Sequence, residues 1–270
     1  MSGVLVKWGD AFLTASDVGL FASSRAWLLA SNILYFLRRL ESRLSLPDAV
    51  LLMDPIAVSF IRYEDDPDEI EAFKRGLSFA GREWVFAPVS DADSRSSGGS
   101  HWSLLVLHVP TNRALHLDSS ASRSNAAAAM HVAAALSALS SQPPAPVTTP
   151  AATPVQTDGY SCGVFTCIFA EFFAARLVPA PAPAAAAASS VAAAVGVAPG
   201  VAQFDPWASA SASASGSASG SGSGSGSRSG QEGSWLAELA ACSGPQQLAE
   251  WRRAQAADVQ ALLAAQHKAD

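Results

Sequence analysis

The chain of 270 residues carries 17 Lys and Arg residues against 23 Asp and Glu, a formal net charge of -6, and 49% of its residues are hydrophobic. A chain with this charge and no basic cluster is poorly suited to neutralising phosphates, so we expect no nucleic-acid partner. No apolar run has membrane-spanning length, and the hydrophobic fraction suffices for a real core. We therefore expect a soluble globular protein with no membrane partner.

The cysteines and histidines indicate a reducing compartment and no metal. Three widely spaced cysteines do not make a disulfide framework. The first 20 residues are interrupted by charges and lack a signal-peptide core, so we expect the cytoplasm or the nucleus. His108, His116 and His131 show no metal-ligand spacing with any cysteine, and we predict neither a metal nor another cofactor.

The first part of the chain predicts helices followed by a strand. In residues 26–43, apolar side chains recur at helical spacing, which predicts a helix with one buried face. Residues 49–61 are a short apolar segment with a turn, and residues 68–75 predict a second helix. Residues 83–89 are typical of a buried strand.

A polar loop and a β-hairpin follow. Residues 90–100 are almost wholly Ser, Asp, Gly, Ala and Arg, which favours irregular backbone. Residues 101–109 predict a strand, residues 110–113 a turn, and residues 114–118 the returning strand. The first residue of one hairpin strand and the last residue of the next lie at the same end. We therefore expect His101 and Asp118 to be neighbours.

The next segment ends in a buried helix. Residues 125–139 are alanine-rich and predict a helix, which the prolines after it bring to an end. A turn at residues 159–163 leads into residues 164–177, which are hydrophobic on nearly every side. That pattern predicts a central, buried helix with Cys162 at its start.

Composition divides the chain into three regions. Residues 1–177 are predicted to form the folded core. Residues 178–233 are Pro-Ala, Ala-Ser and Gly-Ser repeats that bury too little apolar surface to offset their ordering entropy, so we predict a flexible insertion there. Only its residues 204–207 hold side chains suited to docking. Residues 234–270 resume a helical stripe, interrupted at Gln255, that is predicted to pack on the core.

Four residues have the chemistry of a thiol protease. A cysteine thiolate is favoured at a helix N-terminus and beside an imidazolium, and Cys162 has the sequence setting for both. His101 can serve as base and then as acid, with Asp118 accepting from its other nitrogen. Gln156, with the Cys162 backbone N–H, is the candidate donor to the oxyanion. Gly163 leaves room for a substrate backbone. Cys167 is expected to be a buried, inert hydrophobe.

The residues around these positions resemble the ubiquitin-like-specific, or sentrin-specific, cysteine proteases. The similar stretches are GGSHWSLLV at residues 98–106, Asp118-Ser119 with SRSN at residues 122–125, QTDGY at residues 156–160, and Cys162-Gly163. Smaller pieces, among them Ser16-Asp17-Val18 and Trp27-Leu28, make the sequence most similar to the deneddylase branch, which processes the modifier used on cullins. The resemblance covers roughly residues 8–177 and returns near Trp251.

The resemblance implies both a fold and an activity. The fold is α+β and papain-like, with a central, mostly antiparallel sheet, flanking helices, and the nucleophile at the N-terminus of a buried helix. The activity is cleavage after the C-terminal Gly-Gly of a ubiquitin-like modifier by a monomer, with the roles given above for Cys162, His101, Asp118 and Gln156. The resemblance also implies that Trp27 and Trp102 wall a narrow tunnel for the Gly-Gly tail, over which the 90–100 loop closes as a lid.

Two departures keep alternatives open. The family usually has an acidic residue before the nucleophile, where this chain has Ser161, and Asn-Asp after the Trp-Leu pair, where it has Leu29-Ala30. A desumoylating protease of the same family is therefore an alternative to a deneddylase. A catalytically silent module that binds a ubiquitin-like protein is another, and an acyltransferase with the same residue order is a third.

Overall fold

The computed structural model of the protein describes residues 3–95, 97–177, 206–207 and 234–269. The predicted insertion at residues 178–233 therefore lies outside the described residues except for Pro206 and Trp207. In chain order the elements are β1 (Val4–Trp8), β2 (Ala11–Thr14), α1 (Ala15–Ala22), α2 (Ala30–Leu44), β3 (Val50–Leu52), α3 (Pro55–Tyr63), α4 (Pro67–Gly76), β4 (Trp84–Ser90), β5 (Trp102–His108), β6 (Arg113–Leu117), α5 (Ala126–Leu139), β7 (Val147–Thr148), α6 (Cys162–Leu177), α7 (Ser234–Ala241) and α8 (Pro245–Ala269).

The main sheet has five strands in the order β3-β4-β5-β6-β7. The central strands β4, β5 and β6 are antiparallel, as the hairpin pattern predicts. The short edge strands β3 and β7 pair in parallel, so the sheet is mixed. The expectation of a mostly antiparallel sheet thus holds for its centre and not for its edges. Three-residue and two-residue strands are too short to show their direction in sequence.

Both faces of the sheet are buried. Alternate residues of β5 point to opposite sides: Leu104 and Val106 join one hydrophobic cluster, whereas Leu105 and Leu107 join another. The first cluster includes residues of α2 and α6, and the second includes residues of α3 and α5. Each fully buried Leu or Val stabilises the fold by about 2 kcal/mol relative to an exposed one, so the strand positions fix the strand register strongly.

Helix α6 lies inside the first cluster. All its residues from 162 to 174 are buried, and it contacts β5, α2 and α8. A helix with apolar residues all round can be stable only if neighbours cover every side. Here the sheet, α2 and the C-terminal helix cover it, which fixes the position of its first residue.

The C-terminal helices belong to the same core. Trp235, Leu239, Trp251 and Val259 are buried in the cluster that contains α6. The Trp251 ring lies 5.1 Å from Phe36 and 6.1 Å from Phe21, measured between ring centroids. Gln255, which interrupts the apolar stripe in sequence, is itself buried.

The N-terminal hairpin of β1 and β2 and the short helix α1 are not predicted from sequence. Helix α1 starts with a capping box, in which Thr14 and Asp17 exchange hydrogen bonds through side chain and backbone. None of the helices in the described ranges is both long and apolar enough to span a membrane.

Candidate active site

The hairpin of β5 and β6 brings His101 and Asp118 together. His101 immediately precedes β5 and Asp118 immediately follows β6, and the two strands are antiparallel. The His101 Nε2 atom lies 2.6 Å from Asp118 Oδ1. Both side chains are buried, so water competes little for this hydrogen bond.

The Asp118 carboxylate is held by three donors. Besides His101, the backbone N–H of Ser120 donates to Oδ1 at 2.8 Å and that of Asn125 donates to Oδ2 at 3.2 Å. Burial opposes ionisation of Asp118, but these hydrogen bonds and the charge of His101 outweigh it and lower the pKa of the carboxyl. Asp118 is therefore an ionised, fixed acceptor.

Asn125 joins the strands behind this pair. Its side-chain amide donates to the Val89 carbonyl at 2.9 Å and to Ser103 Oγ at 3.0 Å. The residue is fully buried directly before α5. One residue thus links the ends of β4, β5 and β6. Asn125 belongs to the SRSN motif noted in the sequence, but the motif did not indicate this linking role.

Cys162 is the first residue of α6 and is 2% exposed. The backbone N–H groups of a first helical turn have no partner within the helix, and their positive potential favours a thiolate there. Burial disfavours the charged form of His101, yet hydrogen bonds to Asp118 and Cys162 and the charges of both outweigh it and raise the pKa of His101 to about 9. Because Asp118 occupies Nε2, the Nδ1 atom of His101 is the one left to face Cys162.

Asp158 shapes the turn that delivers the cysteine. Its carboxylate accepts hydrogen bonds from the backbone N–H groups of Tyr160 and Ser161, at 2.9 and 2.8 Å, and from Ser161 Oγ at 2.8 Å. Ser161, where the resemblance expects an acid, thus contacts an acid three residues earlier. The sequence signal for this turn was the Asp-Gly pair at positions 158–159.

Gln156 lies on the same segment, but its side-chain amide is engaged. Its Nε2 donates to the Asp158 carbonyl at 2.7 Å, and its Oε1 accepts from Ser119 Oγ at 2.7 Å. The Gln156 backbone N–H also donates to the Ser119 carbonyl at 2.8 Å. These bonds fix Gln156 beside Asp118. One amide hydrogen of Nε2 is still available for an oxyanion, so this role stays a prediction.

Trp102, Leu28 and Gly163 are in contact directly beside Cys162. The Trp102 indole N–H donates to the Leu28 carbonyl at 3.1 Å, and Trp27 is 46% exposed, so Trp27 is not part of the core. A Cβ atom added to Gly163 would lie 2.9 Å from the Leu28 Cβ. Leu28 therefore fills the space that a Gly163 side chain would need, and a substrate-binding role of Gly163 stays a prediction. Gly163 lets the Trp27 segment pack closely on α6.

Comparisons with known proteins agree with this geometry. The model of the Ulp1 protease family, C-terminal catalytic domain, matches residues 64–182. Human sentrin-specific protease 8 is 33% identical over 142 residues, which cover 51% of this chain and 65% of the human protein. The probable sentrin-specific protease 8 of Dictyostelium discoideum is 28% identical over 149 residues, which cover 52% of this chain and 61% of that protein. The match thus spans less than two thirds of each relative.

Solved structures show the same fold. The C-terminal Ulp1 protease domain in complex with Smt3, the yeast ortholog of SUMO, superposes with a TM-score of 0.51 at 16% identity and covers 65% of this chain and 77% of that one. The SUMO protease Ulp1 with an oxidised catalytic cysteine gives a TM-score of 0.50 at 18% identity, covering 64% and 77%. The chain is similar to the ubiquitin-like-specific cysteine proteases. The predicted resemblance and the predicted α+β protease fold are both confirmed.

Asp91 ties the 90–100 loop to the histidine. Its carboxylate accepts from the backbone N–H and the hydroxyl of Ser100, both at 2.6 Å, and from the His101 N–H at 2.9 Å. Burial raises the pKa of Asp91, but these bonds prevail and lower it. A Cβ atom on Gly99 would lie 2.0 Å from Ser90 Oγ, so this loop needs glycine there. The sequence analysis missed Asp91.

The start of the loop is tied to helix α3. Arg62 donates to the carbonyls of Ser90 and Ala92, at 2.9 and 3.0 Å, and the Tyr63 hydroxyl also donates to the Ala92 carbonyl. Arg95 pairs with Glu64 at 2.5 Å. A lid movement of the loop would have to break these bonds, and the lid role stays a prediction.

Arg252 of α8 is a second residue that the sequence analysis missed. It is 4% exposed, and its guanidinium donates to the carbonyls of Leu20, Ser23 and Ala26, at 3.1, 2.9 and 2.7 Å. Burial lowers the pKa of Arg252. These bonds fix the backbone directly before Trp27 to the C-terminal helix.

The other cysteines are unlike Cys162. Cys167 is fully buried in α6, and burial raises its pKa well above the ordinary value. Cys242 is half-buried, and burial raises its pKa as well. Across the ranges that the structure describes, no three His, Cys, Asp or Glu side chains form a cluster that could hold a metal ion.

Proposed function

We propose that the protein is a thiol protease that cleaves after the C-terminal Gly-Gly of a ubiquitin-like modifier. The observation that carries the proposal is the arrangement of three buried groups: Cys162 at the start of α6, His101 beside it, and Asp118 Oδ1 at 2.6 Å from the imidazole Nε2. This is the arrangement of a nucleophile, its base and an orienting acid.

The reaction follows from the pairing of the sulfur and the imidazole. The imidazole of His101, whose pKa is raised to about 9, takes the proton of the Cys162 thiol and leaves a thiolate. The thiolate attacks the carbonyl carbon of the terminal glycine, and the carbonyl π electrons move to its oxygen. In this proposal the N–H of Cys162 and the Gln156 amide donate to that oxyanion.

Collapse of the tetrahedral intermediate expels the leaving amine, which takes the proton from His101. A thioester between Cys162 and the modifier remains. His101, now neutral, removes a proton from water, the hydroxide attacks the thioester carbonyl, and the thiolate leaves as the imidazolium is restored. Asp118 stays ionised throughout and stabilises the imidazolium each time it forms.

The narrow cleft supports a tail without side chains. The Leu28 carbonyl accepts from the Trp102 indole, Leu28 packs against Gly163 of the helix that carries Cys162, and Trp27 precedes Leu28 in the chain. Indole rings at these positions favour glycine in the tail because any Cβ atom would meet them. The sequence relatives named sentrin-specific protease 8 support a Nedd-type modifier, and hence deneddylation of conjugates such as cullins and processing of the modifier precursor.

We place this activity in the cytoplasm or the nucleus and in a monomer. The three cysteines are free thiols, which suits a reducing compartment. All the groups used in the reaction come from one chain.

The test is covalent capture. Nedd-type, Sumo-type and ubiquitin probes with a C-terminal electrophile are incubated with the wild-type protein and with Cys162→Ala. We expect the Nedd-type probe to label the wild type and not the variant, and a Nedd-type precursor to be cut faster than a Sumo-type precursor. Faster cutting of the Sumo-type precursor identifies a desumoylating enzyme instead. Binding of a modifier without labelling or turnover identifies a silent binding module, and labelling by no probe contradicts the proposal.

A further inference from the structure

A row of three polar and aromatic side chains crosses the sheet at the end away from the cleft. Trp84 of β4 is the register partner of His108 of β5, and His108 is the register partner of Arg113 of β6. Side chains directly opposite each other on neighbouring strands share one face of a sheet. The three side chains therefore form a continuous surface, on the face that carries α6 further along.

Trp207 covers this surface. Its ring stacks on Trp84 with centroids 5.7 Å apart and planes 16° from parallel, and it lies 5.9 Å from the His108 ring. The Arg113 guanidinium stands 4.9 Å from the centre of the Trp207 ring. Trp207 is 5% exposed, and the neighbouring Pro206 is buried as well, so both residues are shielded from water.

The surface is separate from the catalytic groups. His101 precedes β5, whereas His108 ends it, and seven residue steps of an extended strand correspond to about 23 Å. The surface also has its own chemistry. A flat indole and an imidazole form a stacking platform, and a guanidinium above the bound ring adds a cation–π contact.

The sequence around Trp207 is acidic. Phe-Asp-Pro precedes Trp207 at residues 204–206, so a peptide of this sequence carries one acid and no base. Arg113 supplies the opposite charge. The proline restricts the backbone before the tryptophan and so reduces the entropy lost when the segment binds.

We propose that Trp84, His108 and Arg113 form a docking site for a short acidic peptide of the Pro-Trp type, which this chain fills with its own residues 206–207. The site binds tryptophan independently of the protease cleft. Removal of the tryptophan from the chain leaves a vacant site that accepts the same segment as a separate peptide.

A peptide complementation experiment tests the proposal. A fluorescein-labelled peptide of residues 201–210 is titrated with the full-length wild type, Trp207→Ala, and Trp207→Ala combined with Arg113→Gln. We expect saturable binding to Trp207→Ala, binding at least about tenfold weaker to the wild type because its own segment competes, and binding about fivefold weaker to the double variant because the cation–π contact is lost. The control peptide carries Ala at position 207. Turnover of a modifier conjugate should be unchanged in Trp207→Ala.

The proposal fails if Trp207→Ala binds neither peptide, or binds both equally. It also fails if the double variant binds as tightly as Trp207→Ala. A second measurement covers the case in which Trp207→Ala does not fold. In the wild-type background, 5-fluorotryptophan is incorporated and the fluorine resonance of Trp207 is assigned with Trp207→Phe. Arg113→Gln should shift that resonance while those of Trp27 and Trp251 stay in place, and an unmoved Trp207 resonance overturns the proposal.

Discussion

Two histidines near Asp118 show how the same burial leads to opposite charge states. His101 faces Asp118 and Cys162, and its pKa rises to about 9 although burial opposes this. His116 is fully buried within β6, where burial dominates and, with the positive charges of Arg123 and His101, outweighs the pull of Asp118, so its pKa falls to about 4. The difference is direct contact: Asp118 bonds His101, whereas the Nε2 of His116 meets the neutral Ser103 hydroxyl at 2.9 Å. Proximity to a carboxylate does not by itself make a charged histidine.

The largest expected effect is a difference in catalytic rate between variants of the two histidines. His101→Gln removes the proton donor and acceptor and should lower kcat on a modifier conjugate by more than about 10⁴-fold. His116→Gln, the matched control, keeps a group that can bond Ser103 and should retain activity within about tenfold. Single-turnover rates on a modifier-fluorophore conjugate measure both. Equal losses in the two variants would contradict the assignment of roles.

A smaller effect is expected when the Asp118 charge is removed. Asp118→Asn keeps the size of the side chain but loses its charge, and kcat should fall by about 10²–10³-fold. Without the Asp118 charge, less remains to offset the lowering of the His101 pKa by burial. The pKa of His101 should therefore drop below its wild-type value of about 9. The alkaline end of the pH–rate profile should move down with it. A variant whose profile stays at the wild-type position would show that Asp118 does not set the pKa of His101.

The wild-type protein should lose activity in alkaline solution. The imidazolium of His101 is present below a pKa of about 9 and is lost above it, and the reaction needs that proton for the leaving amine. We expect kcat/KM to fall by about tenfold per pH unit above this value. Profiles recorded between pH 5 and 10.5, with protein stability checked by circular dichroism, provide the measurement. A fall centred near pH 6.5 would instead indicate an unpaired histidine.

The smallest effect concerns stability, where the two histidines act in opposite pH windows. His116 is held neutral in the folded protein, where its pKa is about 4. Between pH 6.5 and about pH 4, the unfolded chain therefore binds a proton at His116 that the folded protein does not bind. The free energy of unfolding falls as pH falls through this window. His101 holds its proton up to about pH 9, so its contribution is present below pH 6.5 and is lost as pH rises toward 9.

Urea unfolding at pH 7 and pH 5 compares the wild type with His116→Gln. We expect the wild type to lose about 2 kcal/mol more than the variant between these pH values, because the variant has no imidazole at that position to titrate. His131→Gln, which alters an exposed histidine on α5, is the control and should behave as the wild type does. An equal loss in wild type and His116→Gln would show that His116 is not held neutral.

The sequence predicted what lies close together along the chain. The hairpin placed His101 beside Asp118 because two adjacent strands and a short turn determine that contact. The apolar helix after Cys162 was predicted because its composition requires burial on all sides. Strand β6 was also predicted, but its pattern of apolar and polar residues did not show that His116 would be neutral. The charge state of His116 depends on which groups the fold places around the imidazole.

The sequence did not predict contacts made across long separations. Arg252 bonds three carbonyls in residues 20–26, and no local pattern indicates which loop a helical arginine will reach. Trp207 packs on Trp84. Composition predicted a flexible segment around Trp207 and indicated only that residues 204–207 could dock, not where. The parallel edge strands β3 and β7 were missed because two or three residues carry too little pattern.

The Arg252 contact has a consequence for how the enzyme is made. A ribosome synthesises the segment before Trp27 more than 200 residues before it adds Arg252, so the three carbonyls that Arg252 holds lack this donor during most of translation. The backbone before Trp27 can therefore gain these hydrogen bonds only after α8 has emerged and docked. A nascent chain that already contains Cys162, His101 and Asp118 still lacks the donor that fixes residues 20–26.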